Sequence, residues 1–299
     1  MATALEMLGF GADERVLIIH ADDVGFCHAS NAAAFEGMVL GSLTCGSALT
    51  AAPWFAETAR MAREHPQADL GVHLSLVAEH EACRWRSLTG DLSLHAPDGG
   101  MWRDAASAVA HVSVEAARAE LRAQVEHALA LGIDVTHIDT HTEALFHPTL
   151  LPLYVDLALE YRRPLFFFRA NERTLGALGE RAQAYLEQLR RLEERGWPLL
   201  DHVIARTMLE IEPEEKLGRF RRFFAELRPG LTLFITHPAL GGEELAAIDP
   251  IGGQYRAKEG EIFRTRELRG YCESLGIRMI GYRELRECLR ASRVTSGGS

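Results

Sequence analysis

The chain has 299 residues, 47% hydrophobic and 25% charged, an ordinary globular composition with enough apolar material for one large core. Its 42 acidic residues against 32 basic give a formal charge of -10, which disfavours a non-specific nucleic-acid role, since that needs a basic face, and favours a small or neutral substrate. The 5 cysteines are scattered and never in a Cys-x-x-Cys arrangement, excluding a disulfide framework and a thiolate zinc site.

No apolar stretch approaches the ~20 residues of a membrane span. Met1–Arg15 lacks the charged-then-apolar pattern of a leader, so a cytoplasmic chain is expected. Val16-Leu17-Ile18-Ile19 is a continuous apolar run, the mark of a strand covered on both faces, and it runs out into His20-Ala21-Asp22-Asp23-Val24-Gly25. A helix follows to Leu40, Leu43–Leu49 reads as the next strand, and Phe55–Glu64 as a helix. Asp69-Leu70-Gly71-Val72-His73-Leu74 is a third apolar run with a polar outlet.

Ser75–Val112 has no clear periodicity and carries Arg84, Trp85, Arg86 and Trp102; it reads as a long loop or lid whose tryptophans either stack on sugar rings or pack the loop down. A helix over Val114–Leu131 leads into Ile133–Pro148, the stretch on which the chain is organised. There a β-branched run opens into Thr136-His137-Ile138-Asp139-Thr140-His141. Pro148 opens a helix to Tyr161, and Leu165–Arg169 reads as an apolar strand delivering a charge. Leu178–Glu194 reads as a helix with a solvated face, Leu199–His202 as a short strand, and the stretch from Pro213 to Leu227 as a helix. Leu231–Ile235 is a buried strand ending in Thr236-His237-Pro238. Beyond it come a loop over Gly241–Gly253, a helix over Glu259–Leu275, a strand over Ile277–Tyr282 and a helix over Glu284–Ala291.

About eight short strands alternating with helices, without a dividing linker, predict a single-domain α/β fold, a distorted TIM-like (β/α) barrel. The expected domain spans residues 1–293, with a flexible tail over 294–299. The Gly-x-Gly-x-x-Gly turn and the phosphate loop of open doubly wound sheets are absent.

In such a fold the strand ends share one rim, which gathers Asp22, Asp23, His73, His137, Asp139, His141, Arg169 and His237. One carboxylate with two imidazoles leaves a divalent metal with open positions, as a catalytic site requires. Two imidazoles favour a transition metal, while oxygen and water ligands keep magnesium open, so zinc or magnesium is expected, with manganese or cobalt as alternatives. A neighbouring carboxylate as base and an imidazolium as acid suit hydrolysis of an amide or ester. No Gly-x-Ser-x-Gly or His-Glu-x-x-His occurs, and Cys27 lacks the electropositive setting of a nucleophile.

In these residues the sequence resembles the YdjC-like carbohydrate deacetylases. The resemblance lies in Ile19–Gly25, Gly71–Leu74, Thr136–His141 and Thr236–Ala239, in that order over nearly the whole chain. It implies a distorted β/α barrel, a divalent metal and removal of acetyl from an N-acetylated amino sugar or oligosaccharide. It further implies His73 and His141 as metal histidines, with one of Asp22 and Asp23 as the metal carboxylate. By analogy with the wider polysaccharide deacetylases, Asp23 is the ligand and Asp22 the base. His237 resembles the acid, Arg169 an arginine steadying the base, and His137 and Asp139 groups that orient a ligand imidazole. The chain departs from the family's histidine-rich continuation at Thr142-Glu143-Ala144-Leu145-Phe146-His147, which alters the substrate-facing surface. Another single-metal amidohydrolase or esterase, a phosphoesterase, and an inactive sugar-binding relative are the competing readings. The sugar, the pathway and the oligomeric state, a homodimer included, are not readable from the sequence.

Overall fold

In the computed structural model, which describes residues 3–205 and 209–291, the apolar run after Arg15 forms β1 (Arg15–Val24), buried from Val16 onward. A strand so continuously apolar requires cover on both faces. Leu17 and Ile19 enter the main core, while Val16 and Ile18 join a second cluster with Leu231, Leu233 and Tyr282. β2 (Cys45–Ala48), β3 (Leu70–Leu74), β4 (Ile138–Thr140), β5 (His202–Ile204), β6 (Gly230–Thr236) and β7 (Arg278–Met279) complete a 7-stranded sheet. The pairing is parallel throughout, in the order β4-β3-β2-β1-β6-β5, with β7 against the start of β1. Parallel strands place their carboxyl ends on one edge, and the polar outlets gather there.

This is an α/β fold with a curled parallel sheet, barrel-like but not closed by regular strands. Between β4 and β5 the ladder continues only as single bridges, Ile138↔Leu165 and Phe168↔Leu200. The expected strand over Leu165–Arg169 is therefore irregular, and the reason is local. The Tyr185 hydroxyl takes both the N–H (3.1 Å) and the C=O (2.7 Å) of Phe168, occupying groups a neighbouring strand would pair.

Other boundaries move too. The last strand shrinks to Arg278–Met279 because Tyr282 already begins the helix Tyr282–Ala291. The helix expected over Glu259–Leu275 is two, Gly253–Phe263 and Glu267–Ser274, and Glu243–Ile248 is helical where loop was expected. The long Ser75–Val112 segment contains a 3-10 turn, Leu92–Leu94, and a helix, Ala105–His111, capped by Asp104. It is tied down by the fully buried Glu120, whose carboxylate accepts from the N–H groups of Leu88 and Thr89 and from the Thr89 hydroxyl. The domain limit at 293 and the tail 294–299 lie outside the described residues.

Helix Gly253–Phe263 packs over the end of β6 and carries Glu259, paired at 2.5 Å with Lys216; both side chains are wholly buried. The other oxygen of Glu259 accepts from the Thr236 hydroxyl and the His237 N–H, each at 2.6 Å. A buried pair with its remaining lone pairs filled is tolerated, whereas removing one partner is strongly unfavourable. Glu259→Gln is therefore expected to lower the unfolding free energy by about 3 kcal/mol, read by urea denaturation; a loss below about 1 kcal/mol would show that the pair is dispensable.

Candidate metal centre and active site

Asp22 and Asp23 are neighbours on β1, and on a regular strand neighbours point to opposite faces. Here the β1–β2 register shifts between Ala21 and Val24, and Asp23 takes a left-handed backbone, φ 61°. A bulge of this kind re-aims side chains, and both carboxylates face the same imidazole. His73 Nε2 lies 3.4 Å from Asp23 Oδ1 and 3.8 Å from Asp22 Oδ2.

His73 and Asp139 are register partners across β3 and β4, so their side chains share a face, and Asp139 Oδ1 holds His73 Nδ1 at 2.8 Å. Ser47 donates to the other oxygen of Asp139 at 2.8 Å. His141, two residues beyond Asp139 and on the same face, presents Nδ1 to Asp23 Oδ1 at 2.9 Å and Nε2 to Glu79 at 2.9 Å. Each imidazole thus has one nitrogen fixed by a carboxylate, the usual arrangement behind a metal-bound histidine.

The three atoms left facing one another are Asp23 Oδ1, His73 Nε2 and His141 Nδ1. All are buried and make no hydrogen bond, and they lie within 4.8 Å of one another. Donors around a tetrahedral zinc sit about 3.4 Å apart, so this donor set fits a divalent cation in chemistry and in spacing. Two other groupings, His20 with His137 and Asp139, and Asp22 with His73 and Asp139, are as closely spaced, but in both Asp139 is already held by His73 and Ser47, and in the first His20 and His137 bond each other.

The electrostatics agree. Burial opposes ionisation of Asp23, but the Arg256 guanidinium at 2.7 Å and His141 hold its carboxyl well below the usual range. Burial likewise disfavours charge on the imidazoles, yet the carboxylates of Asp139 and Asp22 raise His73 well above its ordinary value. Glu79 and Asp23 raise His141 to about 10 against the same penalty.

His237 leaves β6 at the same edge, with Nε2 3.8 Å from Asp22 Oδ2. Two expected roles find no contact to support them. Arg169 pairs with Glu193 (3.0 Å) and Asp201 (3.3 Å) on the outside of the irregular strand, and the guanidinium at the aspartates belongs to Arg256, itself braced by Asp249. His137 touches neither ligand imidazole; it meets His20, whose Nδ1 in turn holds Asp22 Oδ1 at 2.6 Å. Of the loop tryptophans, Trp85 is 3% exposed and Trp102 stacks on His111 with ring centres 4.1 Å apart, so both pack the segment down. Arg256, Glu79 and His20 were given no role from the sequence. Glu79 lies in the segment that reads as a loop or lid and Arg256 between the expected loop and the helix after it, so neither falls at a strand end, but His20, two residues before Asp22, carried a positional hint.

An α/β fold with an Asp-His-His cluster on the carboxyl edge of its strands defines a protein with a candidate single-metal centre. A family model described as YdjC-like protein matches residues 16–274, and the chain belongs to this family. It is 35% identical over 252 residues to a carbohydrate deacetylase of Thermus thermophilus, covering 82% of this chain and 84% of that protein. A carbohydrate deacetylase of Brevibacillus brevis is 30% identical over 149 residues, 50% of this chain and 58% of that protein. Among solved structures, a protein ascribed to cellobiose-phosphate cleavage from Enterococcus faecalis superposes with a TM-score of 0.72 at 23% identity, over 91% of this chain and 99% of that one; this likeness bears on the fold. No helix among the described residues is long and apolar enough to cross a membrane.

Two outcomes are expected. Because both imidazoles must lose protons to bind a metal, zinc binding at pH 7 should release about two protons, and affinity should rise with pH. Calorimetry in buffers of differing ionisation enthalpy measures this, and a pH-independent affinity would contradict it. Asp139→Asn, which loosens His73 without removing a donor, should weaken metal binding ~10–100-fold, whereas His73→Ala and His141→Ala should empty the site; elemental analysis and competition titration separate the cases.

Proposed function

We propose that the protein is a metal-dependent deacetylase that removes acetyl from N-acetylated amino sugars or their oligosaccharides. The observation that carries this reading is the convergence of three buried ligand atoms, of Asp23, His73 and His141, that face one another and make no hydrogen bond, beside a carboxylate and an imidazole that are not part of the set. Membership of the YdjC-like family and the named activity of the relatives supply the substrate class.

In this reading Asp23, His73 and His141 hold a divalent cation, zinc or magnesium first and manganese or cobalt next. Such an ion polarises an acyl carbonyl and makes a water acidic. Asp22 takes the proton of the attacking water. Its Oδ1 is held by His20, and its Oδ2 remains directed into the space between His73 and His237. His237 donates a proton to the departing amine, its backbone N–H anchored by Glu259 so that the ring stays at the rim. Asp139 and Glu79 orient the ligand imidazoles, and Arg256 keeps Asp23 ionised. A cytoplasmic location belongs to the same proposal and is supported by the 5 unpaired cysteines.

The stretch after His141 bears on the substrate. It forms a 3-10 turn, Glu143–Phe146, in which Ala144, Leu145 and Phe146 are buried, so the family's polar continuation is replaced by packing. Acyl sugars other than N-acetyl ones therefore belong in the test.

Acetate release from a panel of N- and O-acetylated saccharides, with metal-stripped and metal-restored protein, decides the reading. Restored metal should restore turnover, and no acetate with any metal, or full turnover in chelator, would overturn it. Asp22→Asn and His237→Ala should keep the metal and lose on the order of 10²–10⁴-fold in turnover, each removing one limb of a bell-shaped pH profile. If Asp22→Asn empties the site while Asp23→Asn leaves it filled, the two aspartates exchange roles.

A further inference from the structure

Behind the aspartates a line of buried polar groups runs through the sheet interior, from the carboxyl edge to the residue that precedes β3. Asp22 Oδ1 meets His20 Nδ1 at 2.6 Å, and His20 Nε2 meets His137 Nε2 at 2.8 Å. His137 Nδ1 meets the Thr136 hydroxyl at 2.9 Å, and that hydroxyl meets Asp69 Oδ1 at 2.5 Å. Asp69 Oδ2 accepts the N–H of Arg283 at 2.7 Å. All five side chains are buried.

The fold makes room for this line. A Cβ on Gly71 would collide with the His137 ring, and one on Gly281 would collide with Asp69 Oδ2. On its other side His137 is covered by Tyr282, stacked with ring centres 4.0 Å apart. The glycine of Gly71-Val72-His73 thus serves the histidine of the neighbouring strand.

Donor and acceptor roles follow one from another. Burial pushes the Asp69 carboxyl up to about 6, so it is ionised at neutral pH and accepts only, and the Thr136 proton points at it. Thr136 Oγ1 is then an acceptor toward His137, so the proton of His137 is on Nδ1. Burial and the neighbouring His20 hold His137 well below its ordinary value, so the ring is neutral and its Nε2 is bare. The proton between the two rings consequently belongs to His20 Nε2, which also lies 3.3 Å from Asp139 Oδ2. His20 Nδ1 carries a proton as well, because a carboxylate base can only accept; burial opposes charge on the ring, but Asp22 and Asp139 raise it above its ordinary value.

We propose that Asp69, Thr136 and His137 are positioning residues for the Asp22 carboxylate. They accept the Nε2–H of His20 and fix its ring, so that Nδ1–H donates to Asp22 Oδ1 in one orientation and Asp22 Oδ2 is left toward the space between His73 and His237. This rests on the assignment of Asp22 as the base. It gives a function to two groups, Asp69 and Thr136, that are remote from substrate.

The test is the tautomer of His137, read by long-range proton–nitrogen NMR on protein labelled with ¹⁵N-histidine. In the wild-type protein His137 should be the neutral form with its proton on Nδ1. Thr136→Val, nearly isosteric, removes the acceptor; it should abolish that signature and lower kcat about 10-fold or more while metal content and KM stay within about 2-fold. Thr136→Ser should restore both the signature and most of the turnover. His137 protonated on Nε2 in the wild-type protein, or Thr136→Val with unchanged turnover, would overturn the proposal. If the wild-type protein releases no acetate from any substrate, the deacetylase reading falls by itself, because the tautomer is measured without turnover.

Discussion

Three carboxylates are buried within a few ångströms of one another at the ends of β1 and β4: Asp22, Asp23 and Asp139 are 8%, 3% and 6% exposed. Negative charge at that density survives burial only if each group is paired and hydrogen-bonded. Arg256 answers Asp23, His73 and Ser47 answer Asp139, and His20 answers Asp22. After these pairings one oxygen of Asp23 and one nitrogen on each of His73 and His141 remain without a hydrogen bond and face one another. A divalent cation resolves that arrangement, whereas protons alone must be drawn onto the imidazoles to do so.

The backbone serves this concentration of charge in two ways. The register shift in β1 and the left-handed conformation of Asp23 turn consecutive residues toward one space, which a regular strand forbids; non-glycine residues in that region cost of order 1–3 kcal/mol and persist where function and surroundings hold them. One helix, Gly253–Phe263, then braces the rim from outside. Arg256 and Glu259, three residues apart and so on one face, reach Asp23 and the His237 backbone respectively. Candidate metal carboxylate and candidate acid are thereby referred to one rigid element.

Much of this was legible in the sequence, for a definite reason. A parallel strand buried on both faces reads as an uninterrupted apolar run, so Val16–Ile19 and Leu231–Ile235 announce themselves, and the first polar residues after such a run fall on the functional edge. That logic located Asp22, Asp23, His73, Asp139, His141 and His237, which the structure gathers. It failed where the run was not a regular strand. Leu165–Arg169 has the composition of one, but Tyr154 and Tyr185 satisfy its backbone and Arg169 is directed outward to Glu193 and Asp201. It also failed where a charge at the site lies on a helix or loop: Arg256, Glu259 and Glu79 follow no apolar strand, and only tertiary packing brings them to the edge. The role of His137 was misjudged for a subtler reason. Alternation places it on the face of Asp139 and His141, but not at the same depth, and Gly71 lets it sink beneath the His73 and His141 imidazoles.

The central claim is that Asp23, His73 and His141, and not the neighbouring combinations, hold the cation. Anomalous diffraction from crystals of zinc-loaded protein tests it most directly. The account predicts one peak about 2.0–2.2 Å from Asp23 Oδ1, His73 Nε2 and His141 Nδ1, with Asp22 outside bonding distance. A peak among His20, His137 and Asp139, or one bonded to Asp22 in place of Asp23, would contradict it.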